Sequence, residues 1–116
     1  MSVLMEFAMF PTDKGTSVSA EVSKIIAMVR ESGHPYTLSP MGTTVETETM
    51  EEATSLLNRA SKILEPDSER VYSSVKFDIR KGTSNRLEGK IASVEEKIGK
   101  VRGSSLSQGG HFAWNT

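Results

Sequence analysis

In residues 70–80, mainly apolar side chains alternate with mainly polar ones, which is the pattern of a β-strand with one buried face. The positions on one side are Val71, Ser73, Val75, Phe77 and Ile79. Residues 2–10 are also strand-like and mainly apolar, and Pro11 ends that run. The chain is therefore expected to contain a sheet with an apolar face that helices cover.

Two helices are predicted between these strands. Thr16 or Ser17 caps the first helix, and Gly33 ends it because glycine accepts the left-handed backbone found after helices. Thr49 caps the second helix, and Pro66 closes it because proline lacks the N–H donor that a helix needs. The segments that remain between the helices are short strands at residues 36–39 and 42–48.

The order of elements is therefore β-α-β-β-α-β, followed by one more helix over residues 84–102. Right-handed crossovers turn this order into an α+β fold, the ferredoxin-like βαββαβ plait. This is a four-stranded antiparallel sheet with two helices on one face, plus a C-terminal helix. The last helix carries a short heptad seam of Leu87, Ile91, Val94, Ile98 and Val101. Residues 1–102 are expected to form one domain, and residues 103–116 a flexible Gly/Ser-rich tail.

Composition argues against several classes of function. The 116 residues carry a net charge of −1, so nothing favours nucleic acid or an anionic membrane as a partner. The absence of cysteine removes disulfides, thiolate metal sites and cysteine nucleophiles. His34 and His111 lie far apart in the sequence, so no metal site is expected from them. The start lacks a basic signal-peptide region and no apolar run approaches about 18 residues, so the protein is expected to be cytoplasmic.

The sheet face opposite the two helices, which we call the open face, collects polar and aromatic side chains. By alternation it carries Glu6, Phe10, Thr44, Glu46, Ser74, Lys76, Asp78 and Arg80. Such a mixed face is typical of packing against a second subunit, with the charges paired across a dimer interface. It also suits a pocket for a flat, polar, cationic heterocycle. No nucleophile, metal or nucleotide motif accompanies it, so a binding protein is favoured over an enzyme.

Three segments resemble the small thiamine-binding-protein family: residues 6–11, 41–46 and 70–76, in this order and spacing. The Met-Gly-Thr-x-x-Glu pattern of the second segment is the most specific. The resemblance extends from residue 2 to about residue 100. It implies the ferredoxin-like plait, pairing through the sheets into dimers or tetramers, and binding without catalysis. The implied ligand is thiamine or its hydroxymethylpyrimidine part, and no separate cofactor is implied.

The resemblance also implies a ligand site at Glu6, Gly42, Thr43, Glu46 and Ser74. The carboxylates would offset the thiazolium cation and accept from the exocyclic amine, and the hydroxyls would donate to ring nitrogens. Phe10 and Tyr36 are candidates to stack on the flat ring. Gly42 would let the backbone approach the ligand closely. The first loop departs from the family, because residues 12–14 stand between the proline and Gly15.

Two other classes of function stay open. A regulatory protein-interaction module that senses another small metabolite would use the same fold and would bind a partner protein. An acylphosphatase also has this plait, but its chemistry needs an arginine in the first loop to hold phosphate. Residues 11–17 contain Lys14 and no arginine, which disfavours that enzyme.

Overall fold

The computed structural model describes residues 1–15 and 18–101. Its elements are β1 (Ser2–Pro11), α1 (Ser19–Ser32), β2 (Tyr36–Ser39), β3 (Gly42–Thr47), α2 (Met50–Leu64), β4 (Val71–Arg80) and α3 (Arg86–Ile98). One turn of 3-10 helix, Glu65–Asp67, follows α2. The strands form one antiparallel sheet in the order β2-β3-β1-β4, which confirms the predicted plait with an additional C-terminal helix. The predicted tail at 103–116 lies outside the described residues.

Local capping sets the end of α1 and the start of α2. The Thr49 hydroxyl accepts from the Glu52 backbone N–H at 3.1 Å, and the Glu52 carboxylate accepts from the Thr49 N–H at 3.1 Å. This reciprocal capping box confirms the predicted start of α2. Gly33, with a left-handed φ of 82°, follows α1 as predicted. The caps predicted for α1, Thr16 and Ser17, lie outside the described residues.

The core lies between the two helices and one face of the sheet. Its buried apolar side chains are Val3, Met5, Phe7 and Met9 of β1, Ile25, Met28 and Val29 of α1, Val45 of β3, and Ala53, Leu56, Ala60 and Leu64 of α2. The odd-numbered residues of β1 supply the centre, as their alternation predicts. The even-numbered residues of β1 consequently point to the open face.

β4 is an edge strand whose helix-side face is largely uncovered. Its register with β1 places Val71, Phe77 and Ile79 on the side of the core, but 37%, 39% and 50% of their surface stays exposed. Val75 is the apolar residue of this strand that packs against the core. The expectation that helices cover the apolar side of this strand is therefore wrong. α1 and α2 lie over β1 and β3, so the helical layer stops short of the edge.

α3 begins over the open face, where it contacts β1 and β3. It is shorter than predicted at both ends, starting at Arg86 and ending at Ile98 before Gly99, whose φ is 89°. Val94 and Ile98 of the predicted seam are 41% and 73% exposed, so the other described residues do not cover the second half of α3. Within residues 1–15 and 18–101, no helix combines the length and apolarity needed to cross a membrane.

Candidate functional site

Three rows of side chains cross the open face between β1 and β4. The antiparallel register pairs Glu6 with Lys76, Ala8 with Ser74, and Phe10 with Tyr72. Directly opposed residues of an antiparallel pair point to the same face, so these six side chains lie side by side. We call them the open-face patch. Successive rows are about 7 Å apart, because a strand rises about 3.4 Å per residue.

The middle of the open-face patch has a floor of small side chains, Ala8 and Ser74. Gly42 borders this floor from β3, and it is packed closely against β1. A Cβ atom at Gly42 would lie 2.9 Å from the Phe7 carbonyl oxygen and 3.8 Å from the Glu6 Cγ. Glycine therefore serves first to bring the two strands together, and it also leaves space beside Glu6.

Charged and aromatic side chains stand at the two ends of this floor. The Lys76 Nζ lies 3.4 Å from the Glu6 Oε1, and these side chains are 77% and 46% exposed. The Phe10 and Tyr72 rings have centroids 5.7 Å apart and planes tilted by 42°, within the range of favourable aromatic pairs. The floor, the carboxylate and the ring pair together can receive a flat polar molecule.

Glu46 also lies on the open face, but its carboxylate is already occupied. It accepts hydrogen bonds from the Ser2 hydroxyl at 2.5 Å and from the backbone N–H groups of Arg86 at 2.9 Å and Leu87 at 3.1 Å. Burial alone raises the pKa of Glu46, but these hydrogen bonds outweigh it and the pKa is lowered from its ordinary value. Glu46 is therefore an N-terminal cap that β3 provides for α3.

Arg86, which sequence reasoning missed, completes this contact. Its guanidinium donates to the Ser2 hydroxyl at 3.0 Å and carbonyl at 2.8 Å, and to the Asp78 carbonyl at 2.5 Å. It also lies 3.0 Å from the Asp78 carboxylate. The Ser2–Glu46–Arg86 network thus joins three strands to α3. The sequence carries little signal for it, since Arg86 and Ser2 are 84 positions apart.

The structure does not bring Thr43 and Tyr36 to the open face. Thr43 pairs with Phe7 and is 4% exposed, so its side chain lies on the helix side of the sheet. Tyr36 pairs with Val45 and packs against the core. A ligand on the open-face patch would not contact either side chain.

Two cavities adjoin the segment that leads into α3, and Ser84 and Asn85 line both of them. The acidic cavity has a volume of about 320 Å³, and its lining includes His34, Glu46, Glu48 and Glu52. The basic cavity has a volume of about 380 Å³, and its lining includes Asp78, Arg80, Arg86 and Lys90. Asp78 and Leu4, which also lines the basic cavity, form the row next to Glu6 and Lys76. The basic cavity therefore borders the open-face patch.

The sequence from β1 into α3, residues 5–95, matches the family model described as "Thiamine-binding protein". The chain belongs to the thiamine-binding protein family. This confirms the resemblance carried by residues 6–11, 41–46 and 70–76. Every residue of the open-face patch lies inside the matched span, as do the charged residues of the basic cavity.

Relatives of this thiamine-binding-family chain match most of its length, and two solved structures share its fold. A UPF0045 protein from Mycobacterium bovis is 34% identical over 98 residues, which cover 84% of this chain and 96% of that protein. The crystal structure of a Methanocaldococcus jannaschii protein is 33% identical with a TM-score of 0.71, and the match covers 82% of this chain and 97% of that one. A Thermotoga maritima protein with a suggested role in thiamine biosynthesis or salvage shares the fold at 21% identity and a TM-score of 0.70, over 81% and 99% of the two chains.

Proposed function

We propose that this protein binds thiamine, or the hydroxymethylpyrimidine part of thiamine, on the open-face patch and catalyses no reaction. One arrangement carries the proposal: in a chain of the thiamine-binding protein family, small residues lie between a carboxylate and an aromatic pair. The role would be sequestration, delivery or sensing of the vitamin.

The chemical groups of thiamine match the rows of the patch. The flat aminopyrimidine lies over Ala8 and Ser74, where no bulky side chain stands, and the Ser74 hydroxyl donates to a ring nitrogen. Glu6 accepts from the exocyclic amine and offsets the thiazolium charge. The edge of the ring meets the Phe10–Tyr72 pair. Of the site residues implied by the resemblance, Glu6, Gly42 and Ser74 keep a place in this arrangement.

In the absence of ligand, Lys76 forms an ion pair with Glu6, and breaking this ion pair costs little free energy. An ion pair between exposed side chains contributes about 0–1 kcal/mol, because water screens it and both side chains lose freedom. A ligand that brings both a positive charge and a donor amine offers Glu6 a stronger partner. The Lys76 ammonium can then turn into solvent.

The proposal includes self-association, for which the edge of β4 supplies a surface. In the described sheet β4 has a neighbour on its β1 side alone, and Val71, Phe77 and Ile79 are exposed beside the free edge. A second copy that pairs antiparallel about Phe77 would set Lys76 opposite Asp78 of the partner subunit. Opposite charges across such a pair are favourable. The aromatic surface of the open face offers a further contact for a tetramer, and pockets often form at such boundaries.

Calorimetric titration of the purified protein with thiamine, and separately with hydroxymethylpyrimidine, tests the proposal. Glu6→Gln should weaken binding by about 1–3 kcal/mol, because it removes a charge-assisted acceptor. Glu31→Gln, which neutralises an exposed carboxylate on α1, should leave the affinity unchanged. Absence of heat with either compound from a folded protein would overturn the proposal.

A regulatory interaction module is the second candidate, and the exposed end of α3 favours it. Val94 and Ile98 present apolar surface that the remainder of residues 1–15 and 18–101 does not cover. A protein partner held there would be lost on Ile98→Lys, whereas thiamine binding would not change. A pull-down with the wild-type and Ile98→Lys proteins separates the two candidates.

A further inference from the structure

The basic cavity carries an unbalanced positive charge next to the proposed ligand site. Asp78, the one carboxylate that the described residues contribute to its lining, is engaged by Arg86 at 3.0 Å, and the other guanidinium contacts of Arg86 go to Ser2 and the Asp78 carbonyl. Arg80 and Lys90 have no acidic partner within ion-pair distance among the described residues. The cavity thus has two cations without a counter-charge.

Further donors and free space accompany these cations. Thr83, Ser84 and Asn85, whose side chains carry hydroxyl and amide donors, line the same cavity. Gly89 faces it from the second turn of α3, and a Cβ atom there would meet nothing within 4 Å. Glycine inside a helix costs about 1 kcal/mol relative to alanine, so local helix stability does not account for its presence. Two cations and several neutral donors suit a tetrahedral dianion better than a planar monoanion.

The position of the cavity relates it to the open-face patch. Leu4 and Asp78 form the row between Glu6 and the cavity, and Arg80 lies one row further along β4. The distance from Ala8 to Leu4 along β1 is about 13 Å. A one-ring ligand over Ala8 cannot reach across that distance, whereas a two-ring ligand with an extended side arm can. The thiazolium ring would then pass Glu6 on the way.

We propose that the basic cavity binds the phosphate group of a phosphorylated thiamine whose pyrimidine lies on the open-face patch. This inference rests on the proposed function, because it extends the same bound molecule from Ala8 through Glu6 to Arg80 and Lys90. The preferred ligand is therefore a phosphate ester of the vitamin, and the free vitamin binds more weakly.

The test compares thiamine with thiamine monophosphate by calorimetry. The ester should bind roughly tenfold more tightly or better, as expected for one charge-assisted contact or more. Arg80→Gln combined with Lys90→Gln should remove this advantage while thiamine itself binds as before. Lys97→Gln, which neutralises an exposed lysine elsewhere on α3, should change neither affinity. Equal affinity for the ester and thiamine in the wild-type protein would overturn the inference and leave the proposed function standing.

A second variant separates the cavity from general electrostatics. Gly89→Leu fills the cavity without changing any charge and replaces glycine by a better helix former, so the melting temperature should not fall. The ester should lose its advantage, and thiamine should still bind. An unchanged advantage would place the phosphate elsewhere and overturn the inference. If inorganic phosphate competes with the ester and thiamine does not bind, the result would support phosphate binding in the basic cavity. It would overturn the proposed vitamin site instead.

Discussion

Glu46 is a strand residue whose main task is to begin a helix. The residue is 7% exposed, and its carboxylate receives one hydroxyl and two backbone N–H groups from distant parts of the chain. Each of these donors would be left unpaired in the interior if the carboxylate were removed. Glu46, which the family resemblance implies as a ligand contact, is therefore better described as a structural residue. It borders the acidic cavity.

Replacing Glu46 with Gln should lower the free energy of unfolding by about 1–3 kcal/mol at neutral pH, because one carboxylate oxygen that accepts hydrogen bonds becomes an NH2 donor and the negative charge is lost. The pKa of Glu46 is lowered in the folded protein, so its stabilisation is present above the ordinary value of 4.5 and is lost as the pH falls through the folded value. The difference between wild type and variant should therefore shrink in acid. Urea unfolding from neutral pH to well below 4.5 measures this, with Glu48→Gln as the exposed control.

Gly42 is required by the approach of two strands. Its replacement by Ala would put a Cβ atom 2.9 Å from the Phe7 carbonyl oxygen, which belongs to the backbone and cannot turn away. We expect a loss of about 1–3 kcal/mol in the free energy of unfolding, as for overpacking in a core. Gly89→Ala is the control, since its Cβ meets nothing within 4 Å and should stabilise the helix by up to about 1 kcal/mol. Equal stability of Gly42→Ala and wild type would contradict this reading.

Alternation alone located part of the candidate site. It placed Glu6, Phe10 and Ser74 on one face, because side chains in a strand have a period of two whatever the rest of the chain does. Thr43 entered the site through the family resemblance, and its odd position beside Thr44 and Glu46 puts it on the other face. Arg86 could not be found this way, because its contacts with Ser2 and Glu46 join positions 84 and 40 residues apart.

At the scale of the element, α2 was predictable because its signals are local. Thr49 and Glu52 form the capping box, and the helix gives way to a 3-10 turn that contains Pro66. α3 was less predictable at its start, since the acceptor for its first N–H groups is Glu46, 40 residues away. β4 was predicted as a strand correctly, but its exposure depends on where the helices lie over the sheet.

The capping box gives a test of local stability. Thr49→Ala removes the acceptor for the Glu52 N–H and should lower the free energy of unfolding by about 1 kcal/mol. Thr54→Ala, an exposed change within the same helix, removes a hydroxyl bonded to the helix backbone and should be neutral or slightly stabilising. Thermal unfolding of the two variants checks this, and equal effects would mean that the cap contributes nothing.

At the scale of the whole molecule, the uncovered edge strand predicts assembly. Ile79→Lys places a charge beside the free edge of β4, where a second copy would pair, and lysine on edge strands opposes such pairing. Light scattering on a size-exclusion column should give a dimer or larger for wild type and a monomer for the variant. Ile98→Lys should keep the wild-type mass. Dissociation by Ile98→Lys alone would move the interface to α3.

The sheet order also has a consequence for how the protein is made. β1 leaves the ribosome first, yet it occupies the interior of the sheet and pairs with β4 from Ser2–Arg80 to Pro11–Val71. At a synthesis rate of about 5–20 residues per second, roughly 3–16 s separate these partners. β3 can pair with β1 once residues 42–47 have been made, but the other edge of this most apolar strand stays unpaired until residues 71–80 follow. The nascent chain therefore exposes an apolar strand edge to transient contacts during that interval.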